Sequence, residues 1–106
     1  MPKKTRPYSA WRLEKLADPA IASDYLNASL NESPEIFLKA LKNVAQARQI
    51  SKVAKDAGVQ RETLYRSLSE QGNPTFQTLS SVLAALGLKL SITTTEERPR
   101  DLVAGR

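Results

Sequence analysis

The chain of 106 residues contains no cysteine and no histidine. Their absence excludes disulfides, thiol catalysis and zinc sites built from Cys and His ligands. It also removes the commonest general base, and no other evident base accompanies Ser51 or Ser69 to activate a nucleophile. A glycine-rich phosphate loop is missing as well. We therefore expect a protein that is not an enzyme and that uses no metal and no cofactor.

Long apolar runs are also missing, so the sequence predicts no membrane-spanning segment. The first ten residues are basic and lack the apolar stretch of a signal peptide. These two absences lead us to expect a cytoplasmic protein without a membrane partner. Hydrophobic residues make up 41% of the chain, which is enough for one modest core in a single domain.

The net charge of +5 indicates an excess of lysine and arginine. Such an excess favours a polyanionic partner, which can be a nucleic acid, an acidic protein or an anionic membrane face. An ordinary solvated surface explains the same number. The net charge therefore indicates nucleic-acid binding only if the sequence also contains a motif that recognises nucleic acid.

Composition divides the chain into three parts: a basic arm at 1–8, one domain at 9–95 and a charged tail at 96–106. The arm is predicted to be disordered and the tail flexible. The Lys3, Lys4 and Arg6 cluster in the arm either contacts DNA or is merely solvated.

Helix-start signals recur along the domain. A weak helix is predicted at Ser9–Ala17, where Trp11 either anchors the core or contacts a partner. Asp18-Pro19 and Ser33-Pro34 each combine an N-cap residue with a first-turn proline, and Thr75 is a third cap. The helix after Thr75 is expected to bury one face. That face comprises Phe76, Leu79, Val82, Leu83 and Leu86.

Beyond Gly87, which is expected to end that helix, apolar and polar residues alternate. Leu88, Leu90 and Ile92 share one side, which predicts a short strand at 88–95. A single strand is unstable alone, so we expect it to pair with its copy in a homodimer. The Phe76–Leu86 helix is the other candidate dimer surface. The predicted fold class is all-α, a five- to six-helix bundle with a short C-terminal β-strand.

The segment Ile50–Leu68 carries the functional signal. Ser51 is expected to cap a short helix that ends at Gly58, and a second helix follows from Gln60. A small Ala54 permits close helix approach, and Val59 fills the turn between the helices. Val53, Ala57, Leu64 and Leu68 are expected to face inward. This pattern predicts a helix-turn-helix at 51–68.

Turning Leu64 and Leu68 inward projects polar side chains outward from the second helix, which is short enough to fit the major groove. Lys52 lies at the start of the first helix, where free N–H groups suit a DNA phosphate. Tyr65 either contacts DNA or packs against Pro74 or Phe76, and we favour packing. The predicted DNA-binding residues are Lys52, Lys55, Gln60, Arg61, Glu62, Thr63, Tyr65 and Arg66.

Three short motifs accompany this segment: Leu64-Tyr65, Gly72-Asn73-Pro74 and Ala85-Leu86-Gly87-Leu88. With them, residues 47–90 resemble Xre/Cro-like helix-turn-helix domains, and residues 18–90 more closely resemble the HigA-type addiction-module antidote proteins. The resemblance implies a lambda-repressor-like bundle and a dimeric repressor of its own operon. It also implies a toxin partner of the RelE/HigB fold. Gln60 departs from the family, which usually has Ser or Thr at this helix cap.

Two other functions stay open from the sequence. One is a toxin-neutralising protein with weak DNA binding, which would cover its toxin with the Trp11–Leu30 segment or with the tail. The other is a free-standing Xre-family repressor of double-stranded operator DNA without a toxin partner.

Overall fold

The computed structural model describes residues 14–69 and 72–95, and within these residues all regular structure is helical. The predicted all-α class is therefore confirmed for the described chain. The arm at 1–8, Trp11 and the tail at 96–106 lie outside it. The helices are α1 (Pro19–Leu30), α2 (Pro34–Ala47), α3 (Ile50–Ala57), α4 (Arg61–Ser67) and α5 (Phe76–Ala85).

Three helices begin where their cap residues predicted. The Asp18 carboxylate accepts a hydrogen bond of 2.9 Å from the N–H of Ala20 at the start of α1. Ser33 caps α2 and Thr75 caps α5 in the same manner, over 3.1 Å and 3.0 Å. Each cap satisfies a backbone donor that has no partner inside its helix, which stabilises the structure by about 1 kcal/mol.

One hydrophobic core holds the helices together. Helix α1 packs on α2, and α3 contacts α2, α4 and α5, so α3 is central to the second half of the domain. The most deeply buried large side chains come from three helices and the residues that directly follow α4 and α5. They are Leu41, Val44, Leu64, Leu68, Val82 and Leu86. Truncating any of these leucines to alanine would cost about 2–5 kcal/mol.

The turn after α3 depends on Gly58. Its φ of 78° lies in the left-handed region, which glycine adopts without steric strain. The N–H of Gly58 bonds to the carbonyl of Lys55, and that of Val59 bonds to the carbonyl of Ala54, over 3.1 Å and 3.0 Å. This is a Schellman motif, and Gly87 ends α5 with the same pair of bonds. The chain therefore reverses into α4 within three residues.

The predicted cap at Ser51 is wrong. Helix α3 begins two residues earlier than predicted, at Ile50, with Gln49 in the cap position and no side-chain cap bond. Gln49 has a φ of 72°, and among the described residues no other non-glycine has a positive value. Its carbonyl accepts from the N–H groups of Lys52 and Val53, at 2.9 Å and 3.1 Å. The chain therefore turns sharply at Gln49, and Ile50 begins the helix while packing against the core.

The predicted strand at 88–95 is also wrong for the single chain. These residues are described and form no strand, because no neighbouring segment of the described chain pairs with them. Leu88 packs against the core, whereas Leu90 is 40% exposed and Ile92 98% exposed. Alternation alone cannot create a strand without a hydrogen-bonding partner.

Phe76 does not join the buried face predicted for α5. Its side chain is 72% exposed, whereas Val82, Leu83 and Leu86 are buried as expected. Phe76 is the first residue of α5, beyond the part of the helix that the core covers. Helical spacing assigned it to the correct side but could not show where the core ends.

Replacing Gln49 by glycine is expected to stabilise the fold by about 0.5–1 kcal/mol. A left-handed conformation costs a residue with a Cβ about 1–2 kcal/mol, and the greater freedom of glycine in the unfolded chain offsets only part of this gain. Urea unfolding followed by circular dichroism measures the change. The matched control is Gln77→Gly on exposed α5, which should lower stability by about 0.5–1 kcal/mol. Equal losses in both variants would show that Gln49 is unstrained.

Candidate nucleic-acid interface

The orientation of α4 is fixed by two leucines. Leu64, within the helix, and Leu68, directly after it, are both fully buried. Because residues four apart lie on the same side of a helix, the opposite side of α4 must face solvent. All five residues of α4 predicted to contact DNA are exposed: Arg61, Glu62, Thr63, Tyr65 and Arg66.

Glu62 and Arg66 lie one turn apart on this exposed side. Neither is in an ion pair within the described residues, so both side chains are available to an external ligand. Seven residues give α4 a length of about 10 Å, which is within the major-groove width of about 12 Å. The helix thus presents hydrogen-bonding side chains and is short enough to fit the major groove.

Gln60 occupies the cap position of α4 without capping it. Its backbone is extended, with φ −75° and ψ 146°, but its side chain makes no cap hydrogen bond. The side chain is exposed and lies directly before Arg61. It is therefore free to contact a ligand at the N-terminal end of α4.

The two predicted phosphate-binding lysines lie on α3 and differ in their surroundings. Lys52 pairs with Asp56 at 3.8 Å between exposed side chains, an interaction of about 0–1 kcal/mol that a phosphate can replace. Lys55, in the last turn, is exposed and unpaired within the described residues. The N–H of Lys52 bonds to Gln49, so the N–H groups left for an external anion are those of Ile50 and Ser51.

Tyr65 contacts α2, which the sequence analysis did not predict. Its hydroxyl accepts a 2.9 Å hydrogen bond from the Gln46 side-chain amide. The Lys42 ammonium lies 4.7 Å from the centre of its ring, within the range of a cation–π interaction. The ring therefore has partners on α2 that differ from the predicted Pro74 and Phe76. It remains 39% exposed beside the outward face of α4.

A separate groove of about 270 Å³ lies between α1, α5 and the segment after Gly87. Leu26 and Leu30 of α1 form one wall, and Leu88 and Leu90 form another. Residues of α3 and α4 do not line this groove. The described chain thus has a groove of mixed, mainly apolar lining, built from different elements than the polar face of α4.

The sequence matches a known protein family over residues 11–94. This family is described as probable addiction module antidote protein. The chain belongs to this family. A protein from Haemophilus influenzae described as uncharacterized is 48% identical over 69 residues, which cover 64% of this chain and 71% of that protein. No solved structure matches the chain.

Membership confirms the antidote part of the predicted resemblance and indicates an antitoxin role. An antidote of an addiction module implies a toxin as partner. Among the described residues of this antidote protein, no group of acidic side chains can hold a metal ion. Within the same residues no helix is long and apolar enough to cross a membrane.

Replacing Gln60 by serine is expected to stabilise the antidote protein by about 0.5–1 kcal/mol. A serine hydroxyl at this position can accept from the N–H of Thr63, which gives α4 the cap it lacks. Thermal unfolding measures the gain. Ser33→Ala removes an existing cap bond and should cost about 1 kcal/mol, which calibrates the assay. An unfolding temperature unchanged by Gln60→Ser would contradict an open cap position.

Proposed function

We propose that this protein is a sequence-specific DNA-binding antitoxin of the HigA type, which neutralises a RelE/HigB-like toxin and represses its own operon. It acts in the cytoplasm as a homodimer, by binding and not by catalysis, and needs no cofactor. The observation that supports DNA binding is the unpaired polar face of α4, held outward by Leu64 and Leu68.

In this proposal α3 and α4 form an Xre-like helix-turn-helix, and α4 enters the major groove of the operator. Arg66 is suited to a guanine, whose two acceptor atoms match the guanidinium donors. Gln60 and Glu62 offer the complementary acceptors for other bases, and Arg61 and Thr63 extend the contacts. These exposed side chains provide the sequence specificity.

Affinity comes largely from phosphates. Lys52, Lys55 and the N–H groups at the start of α3 contact the DNA backbone, which releases counterions and makes binding depend on salt. Lys52 can exchange its present partner for a phosphate at little cost, because that partner is an exposed aspartate at 3.8 Å. The excess charge of +5 favours encounter with DNA over a long range.

The homodimer would join two chains through the segment after Gly87. Of the two surfaces that the sequence left open, α5 uses Val82 and Leu83 in its own core, as well as the following Leu86. The segment instead exposes Leu90 and Ile92, which a second copy can cover. Twofold symmetry would then place the two α4 helices about 34 Å apart, one turn of DNA.

Toxin neutralisation would use the surface of α1 and the residues before it. Helix α1 packs on α2 and exposes Ile21 and Leu30, at 37% and 48%. These residues are on a different helix from the polar face of α4, so the toxin and the operator can have separate binding surfaces. Family membership favours this antitoxin over a free-standing repressor.

Arg66→Ala is expected to weaken operator binding by about 1–3 kcal/mol, because it removes a two-pronged contact to one base. A gel-shift assay with the DNA upstream of the gene measures the loss over several salt concentrations. The control is Lys15→Ala, which removes the same charge from the exposed residues before α1 and should leave affinity within twofold. Operator affinity unchanged by Arg66→Ala would remove this residue from the interface.

Toxicity rescue in cells tests whether the two activities are separate. The double variant Arg61→Ala, Arg66→Ala should lose operator binding and still protect cells that express the toxin. Loss of both activities would mean that α4 also contacts the toxin. Rescue by a wild-type protein that binds no DNA would favour a pure toxin neutraliser.

Ile92→Asp is expected to convert the homodimer to monomer, because it places a charge in the proposed interface. Ile92 is 98% exposed in the single chain, so the change should not affect the monomer fold. Light scattering coupled to gel filtration measures the mass. Thr93→Asp adds the same charge to the alternate side and should preserve the dimer. A dimer mass retained by Ile92→Asp would exclude this surface.

A further inference from the structure

We propose that Lys42 of α2 binds a phosphate of the DNA backbone beside α4, and that Tyr65 is the positioning residue that holds its ammonium there. The inference rests on the proposed DNA-binding function. It extends the predicted site from α3 and α4 to a third helix and adds a residue that the sequence motif did not contain.

Two side chains of α2 converge on one aromatic ring of α4. Lys42 and Gln46 lie one turn apart on α2, and Tyr65 extends between the two helices to meet both. Gln46 holds the hydroxyl at 2.9 Å, which fixes the edge of the ring. The ammonium of Lys42 lies over the ring at 4.7 Å from its centre. The three groups therefore form a defined cluster on the surface.

The charge of Lys42 remains available to a ligand. An aromatic ring attracts an ammonium through its quadrupole without neutralising its charge. Within the described residues Lys42 has no carboxylate partner, in contrast to Lys52, whose ammonium is 3.8 Å from the carboxylate of Asp56. Lys42 is also half-buried, so part of its side-chain freedom is already lost before DNA binds. A cation whose side chain is already restrained, and which has no carboxylate partner, loses less conformational entropy when it binds an anion.

The position suits a backbone phosphate more than a base. Tyr65 lies at the side of the outward face, one turn after Arg61 and adjacent to Arg66 in sequence. When a helix enters the major groove, the phosphates border the groove and meet residues at the sides of the helix. A lysine ammonium is a compact point charge that binds phosphate without selecting a base. Lys39, one turn earlier on α2, is also exposed.

The test measures how the affinity of the full-length protein for duplex DNA depends on salt. Lys42→Met removes the charge and keeps the length of the side chain. One lost phosphate contact should make the slope of log affinity against log salt shallower by about 0.9. The affinities for operator and for an unrelated duplex should fall by the same factor, since a phosphate carries no sequence information.

Three further variants separate charge from structure. Lys42→Arg should retain the slope, because it keeps the cation. Lys15→Met removes an exposed lysine from the residues before α1 and should also retain the slope. In a Tyr65→Leu background, Lys42→Met should have a smaller effect than in wild type, because the ring no longer positions the ammonium. Thermal unfolding of each variant, with Lys42→Gln as a second neutral replacement, identifies any change caused by folding.

The outcomes distinguish this inference from the proposed function. Wild-type protein that shows no salt-dependent duplex binding refutes the DNA-binding function itself. Wild-type binding together with unchanged slopes for folded Lys42→Met and Lys42→Gln overturns only the role of Lys42. A loss of toxin rescue with an unchanged slope would assign the cluster to the toxin surface and likewise overturn the inference.

Discussion

Burial of Leu64 and Leu68 fixes the rotation of α4 about its own axis. Both side chains are fully enclosed, so turning the helix would expose apolar surface worth about 1.5–3 kcal/mol for each leucine. The opposite face is therefore held outward without requiring any interaction of its own side chains. Arg61, Glu62 and Arg66 stay free of internal partners within the described chain because the stability of α4 comes from elsewhere.

Helix α2 links the two halves of the domain. Its Leu41 and Val44 lie in the core, and its polar residues reach a tyrosine on either side. Asn43 donates to the hydroxyl of Tyr25 on α1, and Gln46 donates to that of Tyr65 on α4, each over 2.9 Å. These bonds join surface groups of three helices. A helix whose apolar side supports the core thus also positions side chains beside the polar face of α4.

The surface divides according to chemistry. The face of α4 carries unpaired polar and cationic groups, and Lys52 near the start of α3 pairs only with an exposed aspartate. Such a surface suits a charged, hydrated partner. The α1 side and the segment after Gly87 expose Leu30, Leu90 and Ile92, which suit an apolar protein partner. Membership in an antidote family implies a toxin as partner. Different helices supply the two surfaces.

The sequence by itself determined the features that depend on neighbours along the chain. The caps at Asp18, Ser33 and Thr75, the left-handed Gly58 and the inward face of α4 were all predictable, because each involves residues at most four apart. Only the tertiary structure decided the rest. The contact of Tyr65 with Lys42 and Gln46, the exposure of Phe76 and the missing strand at 88–95 depend on segments distant in sequence. Local patterns define which side of an element is apolar, but packing alone decides what covers it.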